Sequence, residues 1–127
     1  MEIATGLSEE IARYLDLDTR EIQLTSANMA NIDTPGYRAV GMDFEAEMRR
    51  AMAGVDAVEP SAGGTHGMFS PRVFEVDGLI VRPDGNDVSM DRESLHLAEA
   101  QLKFKVGVAL LKQQYSGIMD AIHADSK

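Results

Sequence analysis

The sequence predicts a mainly α fold, with long N- and C-terminal helices forming a coiled-coil-like pair and a middle region holding a short helix, a flexible loop and a small β-hairpin. Three observations carry this. A heptad stripe runs through the last third of the chain, a sparser one runs through the first third, and a stretch rich in Gly, Pro and Asp lies between them.

The C-terminal helix is the clearest element. From about Asp91, the residues Leu97, Gln101, Phe104, Val108, Leu111, Tyr115, Ile118 and Ile122 recur at alternating spacings of four and three, the pattern of a coiled-coil seam. Phe104, Val108, Leu111, Tyr115, Ile118 and Ile122 are its expected packing residues. A second row, Leu95, Leu102 and Ala109, broadens the apolar face, so the helix is expected to meet more than one neighbour. Gly107 and Gly117 each cost about 1 kcal/mol relative to Ala in a helix interior, which predicts close approach of another helix there.

The N-terminal helix is predicted to begin at Ser8, whose hydroxyl can cap it, with Glu9 and Glu10 at the positive end of its dipole. Ile11, Leu15, Ile22, Met29 and Ile32 form its apolar stripe, interrupted at seam positions by Asp18 and Thr25. The helix stops in Ser26 to Arg38. Pro35 has no backbone donor and pushes Thr34 out of the α region, while Gly36 accepts a positive φ. Ahead of that stop, Asn28 and Asn31 carry amides that can bond a neighbouring helix or its carbonyls.

In the middle, Asp43 is expected to cap a helix through Phe44, Met48, Ala51 and Met52 that Gly54 ends. Gly54 to Pro71 reads as a flexible loop. Val73 to Val76 and Leu79 to Val81 flank Asp77-Gly78, a short hairpin signal. The division is therefore 1–38 for the first helix and its turn, 39–90 for the middle region and 91–127 for the last helix, within one domain.

Composition excludes several function classes. At 127 residues and a net charge of −9, the chain lacks the clustered Lys and Arg that a nucleic-acid surface needs. With no cysteine it has neither disulfides nor thiolate metal sites. Its longest uninterrupted apolar run in the last helix, Val108 to Leu111, is far too short for direct membrane insertion, and the first ten residues lack the basic and apolar regions of a cleavable signal peptide. His66, His96 and His123 are scattered without metal-ligand spacing. Asp84-Gly85-Asn86-Asp87 is a turn and not a calcium loop, since Ser89 and Leu95 fall at its glycine and bidentate Glu positions. Gly63-Gly64-Thr65-His66-Gly67 lacks the Lys-Ser/Thr ending of a phosphate loop. No nucleophile elbow or convergent carboxylate pair is present, so the expectation is no catalytic residues, no cofactor and no metal.

The string Ser26-Ala-Asn-Met-Ala-Asn-Ile-Asp-Thr-Pro-Gly-Tyr-Arg38 resembles the N-terminal signature of flagellar basal-body rod proteins. Asp84-Gly-Asn-Asp-Val-Ser-Met-Asp-Arg-Glu93 is similar to the segment leading into the last helix of the family's proximal rod members, and Asp43-Phe44 matches an Asp-Phe pair after the turn. The resemblance implies a structural subunit, exported by the flagellar type III apparatus, that assembles through its terminal helices into a hollow drive shaft crossing the periplasm. It implies partners in other copies of the chain, other rod subunits such as FlgC and the rod-to-membrane-ring adapter FliE. Asn28, Asn31, Thr34, Pro35, Gly36 and Tyr37 would shape the helix exit and contact adjacent subunits. The rival is a cytoplasmic coiled-coil dimerisation or scaffold module, which explains the seam but not the Asn-rich helix end. Burying six seam residues yields on the order of 10–18 kcal/mol, against at least about 1 kcal/mol for ordering each residue of two long helices. Both helices therefore need neighbours.

Overall fold

A computed structural model describes residues 2–56 and 70–125, with side chains described from 6 to 53 and from 70 to 125. In chain order the elements are α1 (Glu2–Ala30), β1 (Val40–Gly41), α2 (Phe44–Asp56), β2 (Phe74–Glu75) and α3 (Met90–Asp125). The fold is mainly helical, and its long terminal helices pack antiparallel, with Asn28 of α1 beside Glu93 of α3 and Leu15 of α1 against Gly107 of α3. α1 begins at Glu2, earlier than the Ser8 cap expected from sequence. Gly6 is a modest helical cost and not a stop, and the 36-residue α3 is long enough to run beside the extra turns.

Of the expected α1 stripe, Ile11 and the interrupting Asp18 and Thr25 are buried, seven residues apart, while Leu15, Ile22, Met29 and Ile32 are half-buried; Leu17, Leu24 and Asn28 complete the buried set. On α3 the fully buried row is Glu93, Ala100 and Gly107, again seven apart. A Cβ at Gly107 would stand 2.6 Å from Leu15 Cδ2 and 3.1 Å from the Tyr14 ring, so close helix approach is real at this glycine. At Gly117 a Cβ would meet nothing within 4 Å, and no neighbour within the subunit explains that residue.

α2 is capped as expected. Asp43 Oδ1 accepts from Ala46 N at 2.9 Å, and the acidic first turn of Glu45 and Glu47 favours the positive end of its dipole. It continues past Gly54 to Asp56. Arg13 donates to the Ala51 carbonyl at 3.1 Å, the Tyr14 and Phe44 rings meet edge to face at 5.4 Å, and the Lys103 ammonium of α3 sits 4.3 Å from the Phe44 centroid. These contacts seat α2 across one side of the helix pair. Glu47, almost fully buried, ties the returning chain to α2 through Arg50 at 2.6 Å and Arg72 at 2.8 Å. Burial pushes its carboxyl up, but the Arg72 hydrogen bonds and the charges of Arg50 and Arg72 outweigh this and hold it below the usual value.

A two-stranded antiparallel sheet is present, but its strands are not those of the predicted hairpin. β2 pairs with β1, Val40 opposite Glu75 and Gly41 opposite Phe74, and Val76 N donates to Ala39 O at 2.9 Å. Asp77-Gly78 still turns, with Gly78 at φ +78, yet Leu79 to Val81 runs on as irregular chain. The edge of β2 is already taken by β1, where Gly41 leaves room for Val76. The loop expected over Gly54 to Pro71, with His66, lies from 57 to 69 outside the described residues.

Candidate assembly site

The two signature strings meet at one end of the helix pair and lock together through hydrogen bonds. Asn28, in the last turns of α1, is buried and uses its whole amide. Nδ2 donates to Val40 O at 2.8 Å and Glu93 Oε2 at 3.0 Å, while Oδ1 accepts from Val40 N at 3.0 Å and the Tyr37 hydroxyl at 3.2 Å. One side chain thus pairs with β1 and joins it to the first turn of α3. Asn86, fully buried in the second string, donates from Nδ2 to Asn31 O and Thr34 O, both at 2.9 Å, and its Oδ1 accepts from Val88 N at 2.8 Å. Both carbonyls lie in the turn after α1, and each also accepts a backbone bond, from Thr34 N at 3.0 Å and Tyr37 N at 3.2 Å.

Around these amides the turn closes backbone to backbone. Gly36 N donates to Asp84 O at 2.8 Å, and Gly36 and Gly85 both adopt positive φ, +74 and +83. A Cβ on Gly85 would stand 3.3 Å from Gly36 Cα, so the two chains touch where neither has a side chain. Asp87 accepts from Ala39 N at 2.6 Å and pairs with Arg38 at 2.9 Å, and the Arg82 guanidinium donates to Ile32 O. Burial, and then the Glu93 carboxylate, raise the Tyr37 hydroxyl above its ordinary pKa. Asn31 back-bonds to Ala27 O at 2.8 Å and accepts from Thr34 Oγ1 at 3.1 Å. Thr34, Pro35 and Gly36 form the exposed tip.

The row of α3 that meets α1 is Glu93, Ala100 and Gly107, and at 100° per residue Leu111 and Ile118 of the expected seam continue it, both half-buried; Val108 is half-buried at its edge, and Phe104, Tyr115 and Ile122 are exposed. At 100° per residue, Phe104, Val108 and Tyr115 fall on the flank away from α2, and Leu95, Leu102, Val106 and Leu110 on the opposite flank. Both flanks carry exposed apolar side chains.

No family model matches the chain. Among curated proteins it is 34% identical over 121 residues to the flagellar basal body rod protein FlgB of Salmonella typhimurium, covering 85% of this chain and 86% of that protein. It is 35% identical to FlgB of Cereibacter sphaeroides over an alignment of 136 residues, covering 95% of this chain and 99% of the relative. Identity to Escherichia coli FlgB is 32% over 121 residues, covering 87% and 88%. The chain belongs to the FlgB family of flagellar basal-body rod proteins. It is a structural rod subunit of the flagellar basal body, part of the motility apparatus.

As a FlgB-family chain it carries its polar residues in two different states. Glu93 and Asn86, buried in the lock, are partnered; Asp18, equally buried between α1 and α3, has no hydrogen bond to either carboxylate oxygen among the described residues. Burial and then the Glu21 carboxylate push Asp18 up to about 6, with Lys103 pulling the other way. Lys103 is itself engaged with Glu21 at 2.8 Å. Sequence reasoning placed Asp18 on the seam, but its isolation there depends on Lys103 reaching Glu21 from the other helix. Asn86, Asp87 and Glu93 belong to a family motif that, on sequence alone, assigns them no role. Their signal was Asn and Asp in a Gly turn before a helix. No group of three or more metal-binding side chains occurs among the described residues, and no described helix is long and apolar enough to cross a membrane.

Proposed function

We propose that this chain is a self- and hetero-assembling subunit of the proximal rod, packing through residues 1–38 and 91–127 into a hollow axial shaft that transmits torque, with 39–90 as the middle region. The observation that supports this is the division of labour on α3. Its inner row of small and polar residues serves α1, while Phe104, Tyr115 and Ile122 stay exposed on a helix about 54 Å long. Such a surface is costly to leave in water unless neighbours cover it. The exposed tip Thr34-Pro35-Gly36 then contacts an adjacent subunit, while Asn28, Asn31 and Tyr37 hold its shape from within. Neighbours are other copies, FlgC and FliE, after export through the flagellar type III apparatus.

The test is complementation of a deletion strain with a Phe104→Asp/Tyr115→Asp double variant. The exposed positions predict a chain that folds and is exported but yields no complete rods and no swimming. Wild-type motility with intact basal bodies would sink the proposal.

A further inference from the structure

Titratable groups cluster where α1, α2 and α3 meet. Tyr14, Asp18 and Glu21 follow one another at spacings of four and three on the α3-facing side of α1, and Lys103 reaches them from α3. α2 contributes the uncharged ring of Phe44, which meets Tyr14 edge to face at 5.4 Å.

The cluster sets one cation against two carboxylates. Lys103 Nζ pairs with Glu21 Oε2 at 2.8 Å and stands 4.3 Å from the Phe44 centroid, while Asp18, fully buried, has no hydrogen bond to either carboxylate oxygen among the described residues. A neutral carboxyl tolerates such a site. A carboxylate does not, because buried charge needs a counter-ion, donors or water. The arrangement is therefore that of protonated Asp18, in keeping with the upward push that burial and Glu21 exert on it. On ionisation the available counter-ion is Lys103. Its charge already acts on Asp18 and its four-carbon stem is flexible. Glu21, with 19% of its side chain exposed, can be hydrated when the lysine leaves; Asp18, with none exposed, cannot.

We infer that Lys103 is a proton-controlled latch: with Asp18 protonated it clamps Phe44 and seats α2 on the helix pair, and with Asp18 ionised it turns inward between α1 and α3 and lets α2 loosen. The two-state element is a single side chain, and the element it releases is α2. Arg13 still holds the Ala51 carbonyl and Tyr14 still meets Phe44, so α2 loosens without leaving. The latch is independent of the rod reading.

Lys103 supplies its own reporter, because the Phe44 ring current moves the NMR signals of its ε-methylene protons upfield. In the full-length chain those signals are expected to lose most of that displacement as pH rises, with the same midpoint of about 6 as the Asp18 carboxyl carbon. Protection factors of the α2 amides should fall about threefold or more across the same step. In Asp18→Asn both readouts should be independent of pH, with Lys103 kept on the ring. In Lys103→Met the Asp18 midpoint should rise by about one pH unit, and α2 protection should no longer step with it. A Lys103 signal that keeps its upfield position while Asp18 titrates overturns the inference. So does an Asp18 carboxyl that stays in one protonation state throughout. Neither result bears on the rod reading, which is tested by motility of the Phe104→Asp/Tyr115→Asp strain.

Discussion

The lock end and the far half of α3 are opposite solutions to leaving groups exposed. At the lock, Asn28 and Asn86 between them satisfy backbone and carboxylate groups from the turn, β1, the segment before α3 and α3 itself, all within one chain. Along α3 beyond Gly107, Leu110, Tyr115, Met119 and Ile122 remain exposed, and no polar network compensates them. One end is closed by directional bonds and the other keeps apolar side chains exposed. Specific geometry is thus set inside the subunit, while adhesive area is kept outside it.

The contrast breaks most severely at Asn28. Asn28→Ala removes four hydrogen bonds and leaves Glu93 Oε2 and the Val40 backbone without that partner in a buried site, while Arg92 still holds Glu93 Oε1, for an expected loss of about 3–4 kcal/mol by urea unfolding. A loss under about 1 kcal/mol would show that water replaces the amide freely.

Next is Asp18, a buried group that the lock's logic leaves out. Its carboxyl binds a proton more tightly folded than unfolded, so its contribution to stability is full below the ordinary 3.8 and is lost as pH rises through about 6. Asp18→Asn is therefore expected to stabilise the chain at pH 7 by up to about 3 kcal/mol and to change little at pH 4. Equal effects at both pH values would rule out a charge origin. Glu47 has the opposite sign. Its carboxyl is held low by Arg72 and Arg50, so its contribution is present above the ordinary 4.5 and is lost as pH falls through the depressed folded value.

Gly107→Leu tests the close approach of α1 and α3. With Leu15 and Tyr14 already against the Cβ position, overpacking should cost about 1–3 kcal/mol in thermal unfolding, whereas Gly117→Leu, with nothing within 4 Å, should be tolerated by the isolated subunit. The smallest effect on stability belongs to the exposed flank. Phe104→Ser should change monomer unfolding by about 0.5 kcal/mol or less yet reduce assembly measured by sedimentation.

What was legible in the sequence follows the same division. Pro35 and Gly36 announce the turn through backbone sterics alone, and Asp43 announces its helix through a local cap; both needed only neighbours in sequence. The Asp77-Gly78 turn was legible, but the strand partner was not, because β2 pairs with residues more than thirty positions earlier. The α3 seam was read from its apolar residues, a rule that assumes large apolar side chains go inward first. Here α1 meets Ala100 and Gly107, whose small size brings the backbones together; Leu111 and Ile118 continue that face half-buried, while Phe104 and Tyr115 are left exposed on its flank. Asn28 was recognisable as an amide at a helix end, but its partnership with Glu93 spans 65 residues and leaves no local trace.

That span has a kinetic consequence. Every bond from Asn86 to the turn closes a loop of more than fifty residues, and the Asn28–Glu93 bond closes a longer one, so none rewards the chain until nearly ninety residues are free to fold. Under the export proposed above, a chain delivered N-terminus first would carry its first Asn motif out long before the second arrives. Until then it can form helix, the α1–α2 contacts and the β1–β2 pair, but not the bonds that tie the turn to the segment before α3. On that proposal the lock closes only when most of the chain has passed.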